Sequence, residues 1–137
     1  MGLIVDTSNL VTAERRGHSV PELLEQLQRA WGETRVGLSA VTIVEFAHGI
    51  ERAVSETQRQ RRKAFLLALR VSMTIYPVTD EIAERAGEIA GRQAQRGVVL
   101  PFADLLIGAT ALHHGCAVIT ENVRHFEMIP GLVVRTL

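Results

Sequence analysis

Along the chain, short continuous apolar runs alternate with longer stretches whose apolar positions recur every three or four residues. Residues 2–5 (GLIV) are apolar throughout and stop at Asp6, the pattern of a strand buried on both faces. A short helix over 7–14 follows, with Asp6 as a candidate cap. Residues 20–31 (VPELLEQLQRAW) carry the helical period, with Ser19 placed to cap and Pro21 in the first turn. Residues 36–38 predict a weak second strand. The spacing Thr42-x-x-Glu45 then opens a helix through about Ala53 in the manner of a capping box. Residues 57–71 predict a helix that is basic at first and then apolar. A third strand at 73–78 leads to a helix over 81–95, capped by Thr79 or Asp80 and ended by Gly97. Its expected core face is Ile82, Ala83, Ala86, Ile89, Ala90 and Ala94. Pro101 starts a further helix that closes at Gly115, residues 116–120 (CAVIT) form a strand, and 132–135 form a last one.

Short apolar strands separated by helices imply βα units and a parallel sheet covered on both faces, an α/β class. With 137 residues and no repeat, linker or low-complexity tract, the chain reads as one domain over 1–137. In such sheets the working crevice lies beyond the carboxyl ends of the strands. Asp6 directly follows the first strand, and Thr120, Glu121 and Asn122 directly follow CAVIT, so both segments are expected on one edge.

Composition narrows the class. A hydrophobic share of 47% against 22% charged residues supports a core and excludes a disordered tail. Every apolar run is interrupted well before the roughly 18–20 residues of a membrane span. The opening MGLIVD has no basic leader region and no myristoylation pattern, so the expectation is a cytoplasmic protein. Cys116 is the only cysteine, which excludes an internal disulfide and a multi-cysteine metal site. Fifteen basic and fifteen acidic residues cancel, so contact with a polyanion requires a local patch. The run Arg59, Arg61, Arg62, Lys63 is one candidate, either for RNA backbone or as a solvated helix face.

The acids carry the chemistry. Only three aspartates occur, and two, Asp6 and Asp104, sit inside apolar sequence. A carboxylate beside a buried strand costs several kcal/mol unless it is paired or metal-bound. Asp104 falls in the first turn of an almost wholly apolar helix, where the helix dipole returns only ~0.3–1 kcal/mol. Glu45 is either half of the capping box or a third carboxylate delivered after the second strand; the two roles are compatible. Carboxylates that converge on one edge repel each other, and a hard divalent cation, Mg²⁺ or Mn²⁺ in its place, relieves that repulsion. Such a site can activate water for attack on a phosphodiester.

LIVDTSNL at the start, SAVTIVEFAHG around Glu45, PFADLLIGATAL around Asp104 and VITENVRHFEMIPGL near the end resemble PIN domains, in register over essentially the whole chain. Within that family the chain is most similar to the VapC-like ribonuclease toxins of toxin–antitoxin pairs. The resemblance implies a three-layer α/β/α domain with a mainly parallel sheet of four to five strands. It also implies Mg²⁺-dependent cleavage of RNA, a small VapB-like antitoxin as partner, and a homodimer. Asp6 and Asp104 then map onto metal ligands and Glu45 onto the second acid, which binds metal through water or orients the attacking water. At the fourth position many PIN domains have Asp and this chain has Asn122, which can hold a water but cannot act as a base. Glu121 replaces it only if its loop turns inward. Thr7, Ser8 and Thr120 are candidates to hydrogen-bond the carboxylates, or serve ordinary turn chemistry.

Other features carry less. His113 and His114 are adjacent on a helix and point about 100° apart, so with Cys116 they form no plausible zinc site. His48 reads as a helix-face residue, Trp31 as packing of the first long helix, and His125 with Phe126 has no assigned chemistry. No phosphate-cradling glycine motif is present. A phosphatase with an aspartate nucleophile would want a second Asp two residues after Asp6, where Ser8 stands. The alternative within the same resemblance is a catalytically silent module that acts only by binding protein partners.

Overall fold

The computed structural model describes all 137 residues. In chain order the elements are β1 (Leu3–Val5), α1 (Thr7–Arg15), α2 (Val20–Trp31), β2 (Val36–Ser39), α3 (Ala40–Glu51) and α4 (Glu56–Ser72). They continue with β3 (Thr74–Tyr76), α5 (Asp80–Gln95), α6 (Phe102–His113), β4 (Ala117–Ile119), α7 (Val123–Glu127) and β5 (Val134–Arg135). The five strands form one sheet in the order β3-β2-β1-β4-β5, and every neighbouring pair is parallel.

The two-residue period of a strand divides the interior into two cores. Leu3, Val5, Ala117 and Ile119 face a core with α1 to α4, including Leu10, Leu23, Leu27, Phe46, Ile50 and Leu69. Ile4 and Val118 face the opposite core with Ile107 and Ala111 of α6 and Phe126 of α7. On that same side α5 packs on α6 through Ile82, Ala86, Leu105 and Ala109. Helices therefore cover both faces, giving the three-layer α/β/α arrangement. Because both faces are covered, the strands read as unbroken apolar runs.

Local signals act as expected in α2, where Ser19 and Glu22 make a reciprocal capping box, and in α5, where the Thr79 hydroxyl accepts from Ile82 N–H. Three details differ from the sequence reading. Thr42 and Glu45 form no capping box, because α3 starts earlier, at Ala40, and Ser39 caps it by accepting from Val41 N–H. Ala83 and Ala94 of α5 are exposed, while Gln93 is buried and donates to the Met128 carbonyl. The one-turn helix α7 has no periodic signal, since five residues are too few to display one. No helix is long and apolar enough to cross a membrane.

The chain runs outward from β1 through β2 to β3, then crosses back to place β4 on the other side of β1. The reversal lies between β1 and β4, where the connections leaving the two strands part and open a crevice. Asp6 N–H donates to the Ile119 carbonyl at 2.8 Å, fixing the end of β1 against the end of β4.

Backbone proximity at β2 gives a stability test. A Cβ on Gly37 would lie 2.5 Å from Tyr76 Cε2 and 2.8 Å from the Thr74 carbonyl oxygen on the paired strand. Gly37→Ala is expected to destabilise by about 1–3 kcal/mol, because that carbonyl belongs to the neighbouring strand. Gly87 of α5 faces open space, and Gly87→Ala is expected to stabilise by roughly 0.5–1 kcal/mol. Urea unfolding of the two variants should show midpoints moving in opposite directions.

Candidate active site

Asp6 is 2% exposed, yet its side chain makes no cap bond to α1. Its Oδ2 instead accepts from two hydroxyls, Ser8 Oγ at 2.7 Å and Thr120 Oγ1 at 2.9 Å. Each hydroxyl is itself oriented by a backbone donor: Glu121 N–H reaches Ser8 Oγ at 3.1 Å, and Asn122 N–H reaches Thr120 Oγ1 at 2.9 Å. The turn after β4 thus holds the carboxylate at the end of β1. Two donors fix Oδ2, and Oδ1 accepts from no protein group. No Lys, Arg or His pairs with Asp6.

A cleft of about 350 Å³ opens here, lined by Asp6, Thr7, Ser8, Val11, Thr12, Arg15, Glu45, Asp104, Glu121 and Asn122. Chain positions far apart in sequence therefore share one cavity. Glu45 comes from α3, and the Thr7 hydroxyl donates to its Oε1 at 2.7 Å while lying 3.1 Å from Thr42 Oγ1. Asp104 enters from the first turn of α6, with Oδ2 2.7 Å from His125 Nδ1 on α7. Glu121 borders the cleft but its Oε1 accepts from Thr12 Oγ1 at 2.9 Å, which ties it to α1. Asn122 is exposed and occupies the cap position of α7 without a side-chain cap bond, so its amide is uncommitted.

His125 is the residue whose part the sequence does not disclose. Its place in a one-turn helix carries no spacing signal; an adjacent Phe126 that must be buried is the only hint of its orientation. With Nδ1–H donating to Asp104, the ring fixes that carboxylate in the cleft. His113 and His114 stack edge to face and His114 packs on Tyr76, away from the cleft residues. His48 likewise lies outside this cleft.

The electrostatics record the crowding. Burial raises the pKa of Asp104 above the ordinary carboxylate range; the His125 hydrogen bond opposes this and the Asp6 charge adds to it. Burial also raises Glu45, opposed by the Thr7 hydrogen bond and reinforced by the charges of Asp6 and Asp104. A buried carboxylate without a cation, beside two acids that resist ionising, is a donor set suited to a hard divalent ion. The acids do not close into a compact group of three direct ligands.

A raised carboxyl pKa means that ionisation costs the fold stability. Without metal, Asp104 therefore costs nothing at low pH, where it is neutral folded and unfolded, and becomes unfavourable as pH rises through its folded value. In EDTA at pH 7, Asp104→Asn is expected to melt higher than the parent. The difference should shrink as pH falls below about 4, where the parent's acid is also neutral. Thermal melts across this range decide it; a variant that melts lower at pH 7 makes Asp104 a structural acid.

Comparison with known proteins bears on the fold and the family. A Rickettsia felis protein named Ribonuclease VapC1 is 30% identical over 137 residues, spanning 100% of this chain and 97% of its own. The DNA-bound VapBC structure from Salmonella typhimurium superposes with a TM-score of 0.83 at 21% identity, covering 99% of this chain and 98% of that one. VapBC-5 from Mycobacterium tuberculosis, described as a member of the VapBC family of toxin–antitoxin systems, gives 0.75 at 25% identity over 100% of this chain and 98% of its own. The PIN domain pattern itself matches residues 3–131, and with the acids gathered where β1 and β4 end, this chain belongs to the PIN domain family.

Proposed function

We propose that the protein is a divalent-metal-dependent endoribonuclease, the toxin half of a toxin–antitoxin pair, acting in the cytoplasm. The observation that carries the reading is Asp6, a buried carboxylate with hydroxyl donors and no cation, in one cleft with Glu45 and Asp104. The name of the R. felis relative and the toxin–antitoxin assembly of the M. tuberculosis neighbour support the activity and the partner class. Residues 1–137 act as one domain in this reading. A VapB-like antitoxin and a second copy of the chain are the partners this reading implies.

Asp6 and Asp104 would hold the metal, Mg²⁺ or Mn²⁺, with Glu45 joining through water. When bound, the ion supplies charge neutralisation and Lewis-acid activation of water at the phosphodiester. The residues of the chain do the rest. Ser8 and Thr120 keep Asp6 Oδ2 in place, leaving Oδ1 for the cleft. His125 holds Asp104. Glu45, less acidic than an ordinary glutamate, is suited to accept the proton of the attacking water as its oxygen bonds phosphorus. The P–O bond to the leaving ribose oxygen breaks, and that oxygen takes its proton from solvent. Asn122 positions water by hydrogen bonding and adds no charge.

Single-turnover cleavage of RNA with Mg²⁺ and with EDTA tests the proposal. Cleavage is expected only with the metal. Asp6→Asn should abolish it, and Glu45→Gln should lower the rate by about 10²–10⁴-fold, the span of a general base. Because Glu45 does not cap α3, Glu45→Gln should fold normally. Equal rates in EDTA would reject the metal mechanism, whereas no cleavage of any RNA would reject the enzyme and leave the silent binding module.

A further inference from the structure

A second cleft of about 420 Å³ joins the acidic one. It shares Val11, Arg15 and Glu45 with it and extends along α1 and α3 to His48, Arg52 and Arg62. Its charges are not all free. Glu14, 5% exposed, receives Arg61 Nε at 2.9 Å. Arg62 donates to the Gly49 carbonyl at the end of α3, and Arg59 pairs with Glu51 at 3.1 Å. The basic run on α4 therefore ties α4 to α1 and α3 and is largely spent inside the fold. Arg15 and Arg52 are different: both are exposed, both line this cleft, and neither has an ion-pair partner.

We propose that this cleft carries single-stranded RNA on one side of the cut, with Arg15 at the junction and Arg52 at the outer end each holding a backbone phosphate. The inference rests on the ribonuclease reading. A phosphodiester must sit among Asp6, Glu45 and Asp104, whose charges repel the rest of the backbone. Cations at the exit of that pocket offset the repulsion. The chain is neutral as a whole, so the attraction has to be local. Two clefts share residues with the acidic one; this one carries two unpaired arginines, Arg15 and Arg52, whereas the other, joined through Thr12 and Glu121, carries Arg16 alone beside His18. Arginine presents a fork that matches phosphate oxygens, and such contacts hold the strand without reading its sequence.

The test uses the full chain carrying Asp6→Asn, so that RNA is bound and not cut, with a labelled 12-nucleotide single strand followed by fluorescence anisotropy from 0.05 to 0.3 M salt. Every phosphate of a single strand that is no longer neutralised makes the slope of log K against log salt shallower by about 0.7. Adding Arg52→Ala or Arg15→Ala should each remove one such step, which is about fivefold in affinity at 0.1 M salt, and the pair should remove two. Arg52→Lys should restore most of the slope. Arg92→Ala, in a separate cleft on α5, should change nothing. In the active enzyme Arg52→Ala should raise KM and leave kcat unchanged. Unaltered slope and KM with Arg52→Ala, in a parent that binds and cuts RNA, overturn the path while the nuclease stands. If Arg52→Ala instead weakens only a polyglutamate peptide, the cleft belongs to an acidic protein segment and the proposal fails. A parent that neither binds nor cleaves RNA ends both readings.

Discussion

A negative charge at the end of a fully covered strand is the constraint around which this molecule is arranged. Asp6 follows three buried residues and is itself almost without solvent contact, where an unpaired carboxylate costs several kcal/mol. The fold meets part of that cost with hydroxyl donors, Ser8 from α1 and Thr120 from the end of the neighbouring strand β4, each oriented by a backbone N–H. No cationic side chain pairs with Asp6. The carboxylate stands at the one edge where a ligand can reach it.

The sheet order explains why the acids meet. A chain that wound only in one direction would set β4 far from β1. Here the return crossing makes them neighbours, so the turn after β4 lies against Asp6 and α6 delivers Asp104 beside it. α3 brings Glu45 from the other direction, and Thr7 links it to α1. The burial that makes Asp104 and Glu45 less acidic would also couple the binding of a cation to stability, because a cation favours their ionised forms.

Much of this is legible along the chain. The strands are visible because both faces of each are covered, which leaves no polar positions to interrupt them. Asp6 and Asp104 stand out as charges where the apolar pattern permits none. Glu45 is legible as an acid of interest, but the capping box expected of it does not form: Thr42 lies inside α3 and faces Thr7, since a cap pattern in sequence does not say where the first hydrogen-bonded turn begins. Glu121 lines the cleft with its side chain held by Thr12, a contact that no spacing along the chain shows.

What the linear order of residues determined was the type and sequence of the elements other than α7, a sheet covered on both faces and the anomalous acids, because these follow from local period and from the cost of burying charge. What only the three-dimensional arrangement decided was pairing. His125 reaches Asp104 across 21 residues, Thr120 reaches Asp6 across 114, and Arg61 is neutralised by Glu14 across 47 while Arg15 and Arg52 stay free. Such contacts depend on crossing directions and on which side of a helix meets its neighbour, and no spacing along the chain encodes those distances.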